Sequence, residues 1–423
     1  MPDGCAAWET TRHTRSRVRR AVRGYDGGRR PRPTLERVRF PSLPRRSVLL
    51  GLAAAPLAAC SGDDKAPAAP ATTTTTTTTT TPAGPTVTGK GLPADLLKVM
   101  TALYVGGTVP STRAVSAALS KRTPLAKSVT VIGSTGSWHR TPIASVVSGK
   151  DVTLLVKGRT WTVVGGWWPS LKVGRPPFPA MRILAIGSDA RTDQPVEKCR
   201  ADALHVIGVD SKGVGGIVGI PRDSWVRLAT GGNGKVNAAL VFGGARAQAQ
   251  TVADATGLKI DGYVVTGFKG FRGMVSALGG ITYVSSRAVR SVEGYTPVRK
   301  GTNRLTAKTA LSFARERKNL PNGDFGRSAN QGALIKAGVV MAHRAGPARL
   351  ASLLGKMGPH LSTSLTPDQV LNLCASLYLS DATKVRTLTV PGGIGTREGQ
   401  SVVLLGSSAR STFRDLGDGR LGA

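Results

Sequence analysis

Two β-branched runs, 204–209 (LHVIGV) and 214–220 (VGGIVGI), flank the short polar segment 210–213 (DSKG). Runs of strand length and this composition, divided by turn-forming residues, read as a β-hairpin. Its turn is centred near Lys212, so Asp202 and Arg222, ten residues before and ten after, fall opposite each other at the open end. A third apolar run, 182–187 (RILAIG), ends in Ser188-Asp189-Ala190-Arg191. If it lies beside the hairpin, Asp189 and Arg191 reach the same rim.

That rim is rich in arginine, and so are two segments further along. The four patches are Arg200-Ala-Asp202, Ile220-Pro-Arg222-Asp-Ser224, Phe313-Ala-Arg315-Glu-Arg317 and Gly323-Asp324-Phe-Gly-Arg327, each abutting an apolar run. Guanidinium forks match phosphate oxygens two at a time, so arginines interleaved with a few aspartates point to a phosphorylated substrate, a pyrophosphate in particular. Arg315 and Arg317 lie about 200° apart if helical but share a face if extended, so their joint action requires the helix-like run 306–314 to have ended. Asp324, Arg327 and Gln331 follow at i, i+3 and i+7, one face of a helix that Asp324 is expected to cap. The N-terminus of that helix would face an anion. In a chain with 58 Lys and Arg, many arginines only solvate a surface. The aspartates at fixed offsets set these patches apart from that background.

The segment from Arg182 to Ala345 resembles the LytR-CpsA-Psr family of cell-wall glycopolymer transferases. The resemblance is carried, in order, by Gly187-Ser-Asp189-Ala-Arg191, Arg200-Ala-Asp202, Ile220-Pro-Arg222-Asp-Ser224, Lys235-Val-Asn237-Ala-Ala239, Gly267-Phe-Lys-Gly-Phe271, Ala277-Leu-Gly-Gly280, Ala314-Arg-Glu-Arg317 and Gly323-Asp-Phe-Gly-Arg327. The tail from Val385 through Pro391-Gly392 to Asp418-Gly419 resembles the end of that catalytic domain. The resemblance implies an α/β fold with a central mixed sheet flanked by helices. It also implies transfer of a glycopolymer from a polyprenyl-pyrophosphate carrier to a peptidoglycan hydroxyl through a phosphodiester bond, with magnesium. On the matching positions Asp189 and Asp202 would hold the metal, and Arg222, Arg315, Arg317 and Arg327 the pyrophosphate. Asp324 and Gln331 would complete the catalytic set, while Arg191, Arg200 and Asn237 would bind substrate. Two positions depart from the family pattern: Ala203 stands where a hydroxyl residue is usual, and Asn330 where a second arginine is usual. The latter substitution is expected to weaken phosphate binding or change donor preference. Helix-like runs 246–256 and 270–278, with the strand 263–266, would wall an apolar pocket for the polyprenyl chain. Two other readings stay open: a non-catalytic lipoprotein that captures polyprenyl phosphates or wall polymers, and a pyrophosphatase acting on the lipid carrier.

The rest of the chain suggests where such a domain works. The first 46 residues hold thirteen Arg against four Asp or Glu, with almost no apolar periodicity. They read as an extended export n-region or as a translation start placed too far upstream. Arg45-Arg46 then precedes an uncharged run, 47–59, too short to span a bilayer, and Leu57-Ala-Ala-Cys60. Residues 1–59 are therefore read as a twin-arginine, lipoprotein-type leader with Cys60 as the lipidated residue, an uncleaved anchor or ordinary cleavage being the alternatives. The expected location is the outer face of the cytoplasmic membrane. Residues 60–90, with ten consecutive threonines from Thr72 to Thr81, read as an extended tether.

Residues 91–176 are expected to form a small α+β accessory domain ahead of a catalytic domain at 177–423. Its helices are placed at 96–105 and 111–119, and its strands at 128–132, 152–156 and 160–164. Trp161, Trp167 and Trp168 are read as core or interface residues in preference to a sugar-stacking platform. The net charge of +34 suits anionic wall polymers and lipid phosphates. Charge alone would suit nucleic acid equally, but no nucleic-acid module is recognisable and none is expected as partner. Cys199 and Cys374 could pair outside the membrane, and the five histidines show no metal-ligand or triad spacing.

Overall fold

The computed structural model describes residues 84–174, 178–210, 215–291, 294–380, 385–419 and 421. The proposed leader, Cys60 and the threonine run lie outside the described residues. The described chain begins with a two-residue strand β1 (Val87–Thr88), helices α1 (Ala94–Tyr104) and α2 (Arg113–Leu119), and β2 (Val129–Thr130), parallel to β1. A four-stranded antiparallel sheet follows: β3 (Ile132–Trp138), β4 (Thr141–Ser148), β5 (Asp151–Lys157) and β6 (Trp161–Trp167), in that order.

Both faces of this sheet are covered, which explains the near-continuous apolar runs in β4 and β5. One face packs Val146, Leu155, Trp161 and Val163 against Leu96, Met100, Leu103 and Val115 of α1 and α2. The other face, with Trp138, Ile143, Val152 and Leu154, shares a core with Met181, Ile183, Leu350 and Leu371 from the following region. Trp161 and Trp168 are buried in the first core, with the Trp168 indole N–H donating to Thr153 Oγ1 at 2.9 Å.

Strands β3 and β4 are not among those expected. In β3 (IGSTGSW) small residues replace the apolar alternation, because a helix lies almost on its backbone. A Cβ on Gly136 would stand 2.1 Å from the Ala351 carbonyl oxygen, and Ser134 Oγ donates to the Ala348 carbonyl at 2.6 Å.

The main sheet is mixed. It contains β7 (Met181–Ser188), β8 (Ala201–Val209) and β9 (Gly215–Gly219); β8 is antiparallel to both neighbours, with Val209 paired to Gly215 as the hairpin requires. The strand pair β10 (Trp225–Arg227) and β11 (Asn233–Lys235) leads into helix α3 (Ala238–Thr256), and β12 (Gly262–Thr266) then joins β7 in parallel. Next come α4 (Phe268–Ala277), the antiparallel pair β13 (Ile281–Ser285) and β14 (Gly301–Leu305), α5 (Ala307–Arg315), α6 (Gly323–Ala345) and α7 (Leu350–Met357). The chain ends with β15 (Ser362–Thr363), α8 (Pro367–Leu379), β16 (Arg386–Thr389), the hairpin β17 (Gly393–Arg397) and β18 (Gln400–Leu404), and α9 (Ser407–Gly417). Strand order in the six-stranded sheet is β15-β12-β7-β8-β9-β16, which is the expected central mixed sheet flanked by helices.

The period-two alternation of β7 and β8 sorts the two faces. Leu184, Ile186, Leu204 and Val206 face α3 and α9, packing on Leu240, Val252 and Phe413. Ile183, Ala185, Ala203, His205 and Ile207 point to the opposite face, where they line a cavity.

Candidate active site: an arginine rim over an apolar cavity

The hairpin does bring its open-end residues together. Arg222 donates through Nη1 to Asp202 Oδ1 at 2.5 Å and through Nε to Asp324 Oδ2 at 3.3 Å. Asp324 Oδ2 also accepts from Arg327 Nη2 at 3.1 Å, and its Oδ1 lies 3.7 Å from Arg317 Nη1. Arg327 Nη1 in turn stands 3.5 Å from Asp202 Oδ2. Three guanidiniums thus converge on two carboxylates. Their side chains differ in exposure, from 8% for Arg327 and 19% for Arg222 to 48% for Arg317, so Arg317 is the one most open to an incoming anion.

Charge states follow from this packing. Burial works against the charge on Asp324, but Arg327, Arg222 and Arg317 outweigh it and hold the carboxyl below its ordinary range. Burial likewise opposes the charge on Arg222, yet Asp202, Asp223 and Asp324 keep its proton bound more tightly than usual. Arg327 is shifted down, by burial first and by its neighbours Arg222 and Arg317. Asp189 accepts the Arg200 backbone N–H at 2.9 Å and is shifted up, by burial and then by the nearby Asp202 carboxylate.

Each predicted residue can now be placed. Asp189, Asp202, Arg222, Arg317, Asp324 and Arg327 form the rim. Helix α5 does end at Arg315, with Glu316 extended; Arg315 stacks over the Phe268 ring at 4.7 Å and lines the cavity mouth. Gln331 donates to the Ala314 carbonyl at 3.1 Å and Asn330 to the Phe313 carbonyl at 3.3 Å. These carbonyls belong to the last turn of α5, where the Phe313 oxygen also accepts the Glu316 N–H at 3.4 Å, so the two α6 side chains fix the segment that carries Arg315 and Arg317. Asn330, at the position where a second arginine is usual in the resembled family, is buried with its side-chain amide on the Phe313 carbonyl.

Asp324 does not cap α6. The N-cap is Asn322, Gly323 takes a left-handed φ of 50°, and Asp324 sits inside the first turn, its carboxylate committed to guanidiniums. Asn237 is buried, and its backbone N–H donates to the Arg222 carbonyl at 3.2 Å, so it braces the rim from behind. Arg200 and Arg191 are exposed at the edge, Arg191 tied through its backbone N–H to Gln194 Oε1 at 3.0 Å. Two contributors received no role in advance. Asp223 lies 3.8 Å from Arg222 and 3.4 Å from Lys235, and Phe268 provides the face for Arg315. Asp223, Lys235 and Phe268 all lie within the segments that carry the family resemblance, but the role of Phe268 depends on how α4 packs.

Under the rim opens a cavity of about 410 Å³, within the usual range for ligand sites. Its charged lining residues, Asp202, Arg315 and Arg327, are all at the rim; the remainder is apolar apart from a few groups such as His205. His205 is fully buried, its Nε2–H donating to the Ser328 carbonyl at 3.0 Å while Nδ1 has no protein partner. Burial lowers its pKa to about 4, so the ring is neutral. As expected, β12 and the 270–278 helix wall the cavity. Helix α3 does not: Leu240, Ala245 and Val252 pack in the core on the other face of the sheet. The opposite wall is α6, α7 and α8 instead. Cys374 of α8 lines it, where burial pushes its thiol up to about 12. No disulfide joins it to Cys199, which is buried with Sγ 3.8 Å from Gln194 Oε1.

The site is thus an arginine–aspartate rim over an apolar cavity, carried on a mixed α/β sheet. The LytR_cpsA_psr family model matches residues 178–414, and the chain belongs to this LytR-CpsA-Psr family. Among curated proteins it resembles the polyisoprenyl-teichoic acid–peptidoglycan teichoic acid transferase TagU of Bacillus cereus (strain AH820). The two are 32% identical over 197 residues, covering 45% of this chain and 62% of the relative. TagU of Halalkalibacterium halodurans is 33% identical over 218 residues, 51% of this chain and 70% of the relative. The crystal structure of B. subtilis TagV matches with a TM-score of 0.50 and 26% identity, covering 57% of this chain and 98% of TagV. The chain thus spans somewhat under two thirds of the length of the first of these relatives.

Proposed function

We propose that the protein is a phosphotransferase that moves a glycopolymer from a polyprenyl-pyrophosphate carrier to a hydroxyl of peptidoglycan, leaving a phosphodiester. The observation that carries this reading is the continuity of the charged rim with the apolar cavity, which suits a molecule whose pyrophosphate and isoprenyl chain are adjacent. The TagU relatives are named for transfer of teichoic acid from a polyisoprenyl carrier to peptidoglycan, which supports the same reaction class and an anionic glycopolymer here.

In this mechanism Arg222, Arg317 and Arg327 bind the pyrophosphate oxygens, with Arg315 at the mouth, and neutralise charge as it shifts toward the bridging oxygen. The acceptor hydroxyl forms a new P–O bond to the phosphorus that carries the sugar. The bond from that phosphorus to the bridging oxygen breaks, polyprenyl monophosphate leaves, and the hydroxyl proton passes to solvent. Asp324 and Asp202 keep the guanidiniums aimed, and Gln331 with Asn330 holds the α5 terminus in place.

Asp189 and Asp202 suit a hard divalent cation such as magnesium. Burial, and after it the Asp202 carboxylate, pushes the Asp189 carboxyl up, and a cation between the two would offset both costs. Among the described residues no three His, Cys, Asp or Glu gather into a metal site of their own, so water and substrate oxygens would complete the shell. When bound, the ion would supply charge neutralisation on the pyrophosphate.

The proposed setting is the outer face of the cytoplasmic membrane, with Cys60 as lipid anchor and the polyprenyl-linked glycopolymer and peptidoglycan as partners. Cys60→Ala should release the protein from the membrane fraction, and undiminished retention would exclude that anchor. The reaction itself is tested by giving the purified protein a lipid-pyrophosphate-linked glycan and a peptidoglycan oligomer. The phosphodiester-linked product and polyprenyl monophosphate should appear together. Binding without turnover would leave a capture protein, and lipid release without acceptor a pyrophosphatase.

A further inference from the structure

We propose that the N-terminal sheet forms the blind end of the cavity and so determines how long a stretch of isoprenyl chain the protein holds. The inference rests on the reading above that the lipid tail enters the cavity. The rim lies at the Ser188 end of β7 and the Asp202 end of β8, while Ile183 and Ile207, paired across the two strands, lie five residues further along each. At the rise of a β-strand that is roughly 17 Å of cavity floor. The wall met there belongs to another part of the chain: Trp138, Val152, Leu154 and Trp167 line the cavity and come from β3, β5 and β6, outside the family-matched residues 178–414.

The wall is built to stay put. The Trp138 indole N–H donates to the Leu365 carbonyl at 3.0 Å. Trp167 stacks on Tyr378 of α8 at 6.3 Å and 15°, and Tyr378 stacks on His343 of α6 at 4.8 Å and 23°. Phe178 closes on the edge of Trp167 at 6.4 Å. The three charged residues that line the cavity, Asp202, Arg315 and Arg327, are at the rim, so this end offers contact area and shape. Each isoprene unit added to a bound chain should gain affinity by burial until the chain meets this wall, and further units should gain none.

Affinities of a series of isoprenyl pyrophosphates of increasing length, with inorganic pyrophosphate as the headgroup alone, test this on the purified protein. Wild-type affinity should rise several-fold per unit and then level off. Trp167→Ala should leave short chains unchanged and move the levelling-off to longer ones, with thermal melting checking that the variant is folded. Unmodified protein provides an independent readout, using isoprenyl pyrophosphates with a photoreactive group at the far end. Chains at the levelling-off length should label residues 138–167, and shorter chains should label β7 or β8. If affinity rises with length but Trp167→Ala does not move the plateau and no label reaches 138–167, the N-terminal sheet is not the wall. If affinity is the same for every length and for inorganic pyrophosphate, the lipid-binding reading itself fails and this inference with it.

Discussion

The two ends of the cavity are built on opposite principles. At the rim, Arg222, Arg317 and Arg327 are held by carboxylates they share, so each charge is positioned by other charges. At the far end Trp138, Trp167 and Tyr378 are held by stacking, packing and one indole hydrogen bond. A substitution at the rim therefore alters both the ligand's partners and the remaining protein charges, whereas one at the far end alters only shape. The first end should bind by chemistry, the second by length.

The sharpest way to break this contrast is Arg222→Ala. It removes charge-assisted contacts worth roughly 1.5–3 kcal/mol each and leaves Asp202, Asp223 and Asp324 short of a partner. Transfer should fall at least about a hundredfold in kcat/KM, with a lowered melting temperature, and Arg222→Lys should recover only part because it lacks the planar fork. Activity within about twofold of wild type would remove Arg222 from the site.

Between the two ends sits His205, a polar group in apolar surroundings, and its effect is on stability. Its folded pKa of about 4 lies below the ordinary 6.5, so the unfolded chain takes up a proton that the fold refuses. Stability is unaffected by this ring above pH 6.5, falls as pH drops from there toward 4, and levels off below; the loss is on the order of 3 kcal/mol. Unfolding free energies measured across that window should show the slope in the wild type and a flatter one in His205→Phe. Equal slopes would mean the ring is not buried neutral.

A cavity-filling change separates the ends more finely. Gly338 on α6 lines the cavity, and a Cβ there would meet nothing within 4 Å. Gly338→Leu should weaken long-chain isoprenyl pyrophosphates about tenfold, leave inorganic pyrophosphate unchanged, and hold or raise the melting temperature, since Gly is a poor helix residue. Loss of both ligands together would show that the rim and the cavity are not separable. The smallest expected effect is at the proposed metal pair: Asp189→Asn should raise the magnesium concentration for half-maximal transfer by several-fold, and an unchanged requirement would argue against that carboxylate as a ligand.

The same contrast governs what could be read from the sequence. The rim was legible because a hairpin with a defined turn fixes which residues face each other, and Asp202 does meet Arg222. Asp324 does share a face of α6 with Arg327, but it does not cap the helix, because the left-handed Gly323 and the Asn322 N-cap start α6 before it. The far end was not legible. Its tryptophans look like any core residues, and β3 carries glycine and serine where alternation would have signalled a strand, because α7 approaches it so closely. Helix α3 was expected at the cavity because its apolar stripe says only that one face is buried, not against which side of the sheet.

The central claim is that rim and cavity hold the head and tail of one molecule. A crystal structure with a long-chain isoprenyl pyrophosphate tests it most directly. The pyrophosphate should lie on Arg222, Arg317 and Arg327, and the chain should run past Ala185 and His205 toward Trp167. A pyrophosphate on the rim with its chain lying outside the cavity, or a chain in the cavity with its head away from these arginines, would contradict the account.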